Sequence, residues 1–130
     1  MRIHQLAASI LAAFVLLIQS ATASPRDVIV SLADQGAQAI EGRGLTIDLN
    51  KLLPIYQSPD APLIFIEGNR LSALGAEFIV ALGKAREDGL EPKDYIHTSF
   101  GSLNRLTGED DAAGAELALA QAFLRYARDI

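Results

Sequence analysis

Apolar positions recur at helical spacing in three stretches of this chain and give way to turn chemistry between them. Leu71, Leu74, Phe78, Leu82 and Ala85 fall at i, i+3, i+7, i+11 and i+14, one continuous stripe that predicts a helix over 72–88 with Phe78 and Leu82 in the core. Gly89 stands where a left-handed residue ends a helix, Leu90 can supply the accompanying hydrophobic contact, and Pro92 forbids continuation. Ala113, Leu117, Ala120, Leu124 and Ala127 form a second stripe, widened by Leu119, Phe123 and Tyr126. Its alanine content favours helix from about residue 108 onward. Thr107-Gly108-Glu109-Asp110 supplies a capping pattern at its start, and Arg125 and Arg128 suit its negative end. The third stripe, Val28, Ile29, Leu32, Ala33 and Ile40, predicts a helix over 25–41. Ser24 fits its N-cap, Pro25 its first position and Asp27 its third, and Gly42-Arg43-Gly44 reads as its stop.

The remaining segments are shorter. Leu49, Leu52, Leu53 and Tyr56 have helical spacing around Pro54, which predicts a short helix near 50–57. Leu63-Ile64-Phe65-Ile66 is an apolar run suited to a buried extended segment, with no second strand in view to pair with it. Ile96 to Leu106 reads as loop. The expected fold is all-α: a small bundle of three main helices plus a short helix and one extended segment.

The first residues stand apart from this bundle. Met1-Arg2 is a basic start, Leu6 to Ile18 carries no charge, and Ala21-Thr22-Ala23 has the small-x-small spacing of a cleavage site. Residues 1–23 therefore read as a secretory signal peptide, leaving a single domain over 24–130 and no membrane span after cleavage. A run this short falls below the ~20 residues that a spanning helix needs. The helical pattern continues to Ile130 with no Gly or Pro stop, which fits either a chain cut near a domain edge or a helix that ends with its chain.

Charge and composition narrow the chemistry. Eleven Lys and Arg stand against sixteen Asp and Glu, a net charge of −5 that disfavours nucleic-acid binding. The chain has no cysteine, hence no thiolate nucleophile and no Cys-ligated zinc. His4 lies in the leader, so His97 alone remains, and one histidine cannot build a multi-His metal site.

The candidate constellations favour ordinary readings. Asp94, His97 and Ser99 contain the residue types of a hydrolase triad but lack a nucleophile elbow. Glu109, Asp110 and Asp111 do not follow the alternation of a calcium loop and suit a helix N-terminus. Gly42-Arg43-Gly44 and Gly75 form no phosphate loop, and Gly75 reads as a tolerated helix glycine. Arg86-Glu87-Asp88 reads as a solvated helix end, and Arg125 and Asp129 can pair at i, i+4. Tyr95, Phe100, Phe123 and Tyr126 could stack on sugars, although aromatics at helical spacing are more often core. The chain is therefore expected to have no catalytic, cofactor or metal residues. Asp94, Tyr95, Arg125 and Tyr126 are the candidate interaction residues.

Four segments occur in a telling order: Ala61-Pro62-Leu63-Ile64-Phe65, Gly68-Asn69-Arg70-Leu71-Ser72, Ala85 through Asp88-Gly89-Leu90-Glu91-Pro92-Lys93-Asp94-Tyr95, and Ala122 through Leu124-Arg125-Tyr126-Ala127 to Asp129. Together they resemble the N-terminal scaffold domain of large Gram-negative L,D-transpeptidases of the murein-crosslinking type, over residues 56–129. The resemblance implies an all-α, non-catalytic periplasmic scaffold linked to peptidoglycan cross-linking. Its implied partners are a transpeptidase catalytic domain or other cell-wall enzyme, or peptidoglycan itself. Three departures accompany it. Ile64 and Phe65 stand where the family usually has tryptophan, the peptidoglycan-binding and catalytic domains are not in this chain, and the catalytic cysteine has no counterpart. A free-standing periplasmic helical adaptor, chaperone or inhibitor is the alternative.

Overall fold

The computed structural model describes residues 24–43, 45–58 and 61–130, the side chains of 41, 42, 98 and 99 excepted. The leader expected over residues 1–23 lies outside them. Helix α1 (Pro25–Asp34) opens as the sequence predicts. Ser24 Oγ accepts from the Asp27 N–H at 3.2 Å, and Asp27 Oδ2 accepts from the Ser24 N–H at 2.9 Å.

The end of α1 differs from expectation. It stops at Asp34, and Gly36 takes a left-handed φ of 71° just beyond. The residues expected to continue it form strand β1 (Ala39–Gly42), antiparallel to β2 (Leu45–Asp48) in the register Ala39↔Asp48 to Gly42↔Leu45. Gly42 and Arg43 thus belong to a hairpin and not to a helix stop, and Gly44 lies outside the described residues. Arg43 sits at φ 51°, and its guanidinium donates to Asp111 Oδ1 at 3.0 Å and to Ser102 Oγ at 2.8 Å. These long-range contacts hold a conformation that a side chain with a Cβ adopts reluctantly.

Asp48 then caps α2 (Leu49–Tyr56), accepting from the Asn50 N–H at 3.1 Å. Leu49, Leu52 and Tyr56 are buried, and Pro54 lies within the helix. The extended segment also finds a partner: β3 (Ile66–Glu67) pairs with β4 (Arg70–Leu71) around Gly68-Asn69. The fold is therefore mostly helical but not all-α, because two short antiparallel hairpins interrupt it. One hairpin has four residue pairs and the other two, so neither strand pair left a long alternating run to read.

Helix α3 (Ala73–Gly83) is capped by Ser72, whose Oγ accepts from the Gly75 N–H at 3.0 Å. A 3-10 turn, Ala85–Asp88, extends it to the expected stop. Gly89 has φ 76°, the Leu90 N–H bonds Ala85 O at 3.0 Å, and the Gly89 N–H bonds Arg86 O at 3.1 Å. This is the Schellman pattern that Gly89-Leu90 predicts. The stretch read as loop over 96–106 contains a further 3-10 turn, Thr98–Ser102.

Helix α4 (Glu109–Asp129) is the central element. Its N-cap is Gly108, and the carboxylate reaching back is Asp111, not Asp110; Asp111 Oδ2 accepts from the Thr107 N–H at 3.0 Å. From Ala112 to Ala122 almost every residue is buried, because α1, β1, β2, α2, β3 and α3 all contact this helix. Alanines let those neighbours approach closely on several sides, so one apolar stripe understates the burial. Beyond Ala122 the stripe thins: Leu124 and Tyr126 still pack against the core, whereas Phe123 and Ala127 are exposed.

Gly75 is not a merely tolerated glycine. It is buried, and a Cβ there would collide with the Phe65 carbonyl oxygen, with the Leu71 side chain also only 3.1 Å away. Helix propensity alone makes Gly→Ala stabilising by roughly 0.5–1 kcal/mol. We expect the opposite sign for Gly75→Ala: a lower melting temperature, measured by circular dichroism. An unchanged or raised value would show that α3 does not approach the Ile64–Ile66 segment this closely.

Candidate functional site

The backbone of residues 64–66 runs between α3 and α4, and each of its polar groups needs a partner. The N–H groups turn to one side chain, Glu116 of α4, which is fully buried. Its Oε1 accepts from Ile64 N–H at 3.0 Å, Phe65 N–H at 2.8 Å and Ile66 N–H at 3.1 Å, and Oε2 accepts from the Tyr56 hydroxyl at 2.5 Å. The carbonyls turn to Ser72. Its Oγ donates to Ile64 O at 2.7 Å, and its N–H donates to Phe65 O at 2.9 Å. Glu116 thus joins α4, α2 and the extended segment, while Ser72 joins that segment to α3.

All the groups bonded to Glu116 are donors, matching the acceptor-only character of a carboxylate. Removing a buried partner of this kind leaves several donors unsatisfied, at about 1–3 kcal/mol each. Tyr56 feels the same arrangement from the other side. Burial, then the neighbouring Glu116 charge, pushes its phenol above the ordinary tyrosine value.

The segment so held forms one wall of an open apolar groove of about 480 Å³. Phe65, Phe78 and Phe123 meet in its floor, with ring centroids 5.4, 5.5 and 6.0 Å apart. Ile55 from α2, Leu74 from α3 and Leu124 from α4 line its sides, and Glu77 is the charged residue on its wall. Leu74 is 53% exposed, Phe123 45% and Ile55 40%. Large apolar side chains gathered on an open concave surface are the usual mark of an interaction site.

The candidate interaction residues lie beyond the end of this groove. Tyr95 and Tyr126 pack edge to face at 5.5 Å and 89°, and the Arg125 guanidinium lies 5.7 Å from the Tyr95 ring centre. The Tyr95 hydroxyl donates to Asp129 Oδ2 at 2.8 Å, and the Tyr126 hydroxyl donates to Asp88 Oδ2 at 2.8 Å. Three of the four expected residues therefore come together, and both tyrosine hydroxyls are used inside the molecule. Asp94 is exposed at the end of the 3-10 turn Pro92–Asp94. Phe100 is buried, whereas Phe123 belongs to the groove.

The other constellations resolve locally. His97 is half-buried and its carbonyl accepts from the Phe100 N–H at 2.9 Å; the Ser99 side chain lies outside the described ones. Asp111 is held below the ordinary aspartate value, mainly by the Thr107 N–H and further by Arg43. Arg86 pairs with Glu91 at 2.9 Å and Asp88 accepts from Tyr126, so the expected solvated end is partly tied down. Asp129 pairs with Arg128 at 2.9 Å, not with Arg125. Among the described residues no group of three His, Cys, Asp or Glu is placed to hold a metal ion. None of their helices is long and apolar enough to cross a membrane.

Comparison with known proteins gives one match. A family model described as Scaffold domain covers residues 50–130, a stretch that includes every residue named above in the groove and in the Glu116 network. No curated protein and no solved structure matches the chain.

All three tyrosines donate to a carboxylate, and all three phenols are raised in the folded state: by burial first at Tyr56 and Tyr95, by the Asp88 hydrogen bond first at Tyr126. A raised folded value means that the folded state holds the proton more tightly. The associated stability is complete below the unfolded value of about 10 and is lost as pH rises through the folded values. Absorbance titration near 295 nm should show phenolate appearing at higher pH than in free tyrosine, with ionisation and unfolding together. A tyrosine ionising at its ordinary value in folded protein would contradict the carboxylate pairing.

Proposed function

The chain belongs to the Scaffold domain family, and from that membership we propose that it is a non-catalytic docking module of periplasmic cell-wall cross-linking, whose groove receives the catalytic domain of an L,D-transpeptidase. The open apolar groove over Phe65, Phe78 and Phe123 carries this reading. Keeping Leu74, Phe123 and Ile55 in contact with water forgoes hydrophobic stabilisation of about 25 cal/mol per Å². A partner that covers them recovers it. The groove walls are fixed before any partner arrives, because Glu116 and Ser72 hold the extended segment, and a preformed surface loses little entropy on docking.

Two sequence features support the cell-wall setting: the export leader read over residues 1–23, and the Asp88-Gly89-Leu90 to Asp94-Tyr95 run of the L,D-transpeptidase resemblance. In the structure that run ends on Tyr95, which packs on α4 beside Arg125 and Tyr126. It thereby fixes the α4 turns that supply Phe123 and Leu124 to the groove.

Leu74→Asp tests the reading, since an exposed position changes fold stability by only about 0.5 kcal/mol. With the catalytic domain of an L,D-transpeptidase from the same genome, calorimetry should show a complex that Leu74→Asp weakens about tenfold or more, as expected of a docking residue, with an unchanged melting temperature. A complex indifferent to Leu74→Asp would move the interface elsewhere. No complex, with retention on purified sacculi instead, would replace the docking reading with peptidoglycan binding.

A further inference from the structure

Beside the groove, a second concavity of about 700 Å³ opens along the last turns of α4. Gln121, Arg125 and Arg128 lie at i, i+4 and i+7 on one face, and Lys51 of α2 faces them. Leu124 lines both concavities, so the apolar groove and the cationic one lie side by side along α4. The helix dipole alone accounts for Arg125 and Arg128 near a C-terminus. It does not account for Lys51, which sits in the first turn of α2, where a cation opposes the dipole.

The charges here are incompletely neutralised. Lys51 Nζ lies 3.7 Å from Asp48, and Arg128 pairs with Asp129 at 2.9 Å, both at exposed sites where such pairs contribute about 0–1 kcal/mol. Arg125 rests on the Tyr95 ring, and Asp129, already paired with Arg128, is the carboxylate that also feels its charge. The concavity's own lining carries three cations, Lys51, Arg125 and Arg128, and no carboxylate, on a chain of net charge −5. Glu77 marks the groove with the opposite sign.

We propose that the segment docking in the groove is acidic as well as amphipathic: its apolar side chains fill the space over Phe65, Phe78 and Phe123, and its carboxylates extend past Leu124 onto Arg125, Arg128 and Lys51. The inference rests on the docking reading above and adds the partner's charge and its direction of lie. Guanidinium forks bind carboxylates bidentately, so Arg125 and Arg128 fix orientation as well as attraction. A basic segment would instead meet repulsion at Arg125, Arg128 and Lys51, with Glu77 the carboxylate among the groove's described lining residues.

The test uses two synthetic peptides of about 14 residues, each with leucine at i, i+3, i+4 and i+7, flanked in one by glutamate and in the other by lysine. Fluorescence anisotropy with the full mature chain should show the glutamate peptide binding at least tenfold tighter. That preference should shrink in high salt, where the Debye length falls to about 3 Å. Lys51→Glu and Arg125→Glu should each reduce the preference, and the two together should abolish it. Lys51→Glu at an exposed site guards against loss of fold in the Arg125 variant. Equal binding of both peptides, abolished by Leu74→Asp, would leave the docking reading standing and overturn the acidic partner. Preference for lysine would overturn it also. Failure of both peptides to bind, while the catalytic domain still forms its Leu74-dependent complex, would overturn the acidic segment and leave the docking reading standing.

Discussion

A single buried carboxylate organises this fold. Glu116 enters from the central helix and takes the N–H groups of three successive residues, Ile64, Phe65 and Ile66, together with the Tyr56 hydroxyl. A chain segment crossing the interior outside any long sheet must satisfy its amides somewhere, and here one side chain satisfies them all. A buried carboxylate is tolerable only when its lone pairs are fully occupied, so side chain and segment depend on each other. The aromatic floor follows from this. Phe65 is held by Glu116 through its own amide, and Phe78 and Phe123 pack against its ring.

Ser72 and Gly75 complete the constraint from the other side. Ser72 caps α3 while bonding Ile64 and Phe65, and Gly75 lets α3 approach the Phe65 carbonyl. The groove is therefore a rigid consequence of how residues 64–66 are held. The matched family stretch, 50–130, contains all of these parts, from Tyr56 to Glu116.

Much of this was legible in the sequence where local physics decides. The Ser24–Asp27 box, the Gly89-Leu90 stop and the helices around 73–83 and 109–129 are set by caps, glycine and period, and they stand where the sequence places them. The hairpins were not, because Ile40 also suited a helical stripe and Ile66 had only a two-residue partner across Gly68-Asn69. Glu116 carried no signal of its own. In a sequence it is one polar residue on an alanine-rich helix, and its partners are backbone amides about fifty residues away. The Tyr95, Arg125 and Tyr126 cluster was legible as residues but not as a clamp, since only tertiary contact gives the tyrosine hydroxyls to Asp129 and Asp88. The groove was hidden for a related reason: Leu74 and Phe123 follow the same apolar stripes as core residues, and only packing shows that they face solvent.

Amide hydrogen exchange, read residue by residue, tests the central claim most directly. In the wild-type protein the amides of Ile64, Phe65 and Ile66 should be strongly protected although no helix or long sheet contains them. In a Glu116→Leu variant that remains folded, where residue 116 has no acceptor left, those amides should lose protection well beyond the rest of the chain. If they exchange freely in the wild type, or keep their protection in the variant, Glu116 is not what holds the segment, and the account of the groove fails with it.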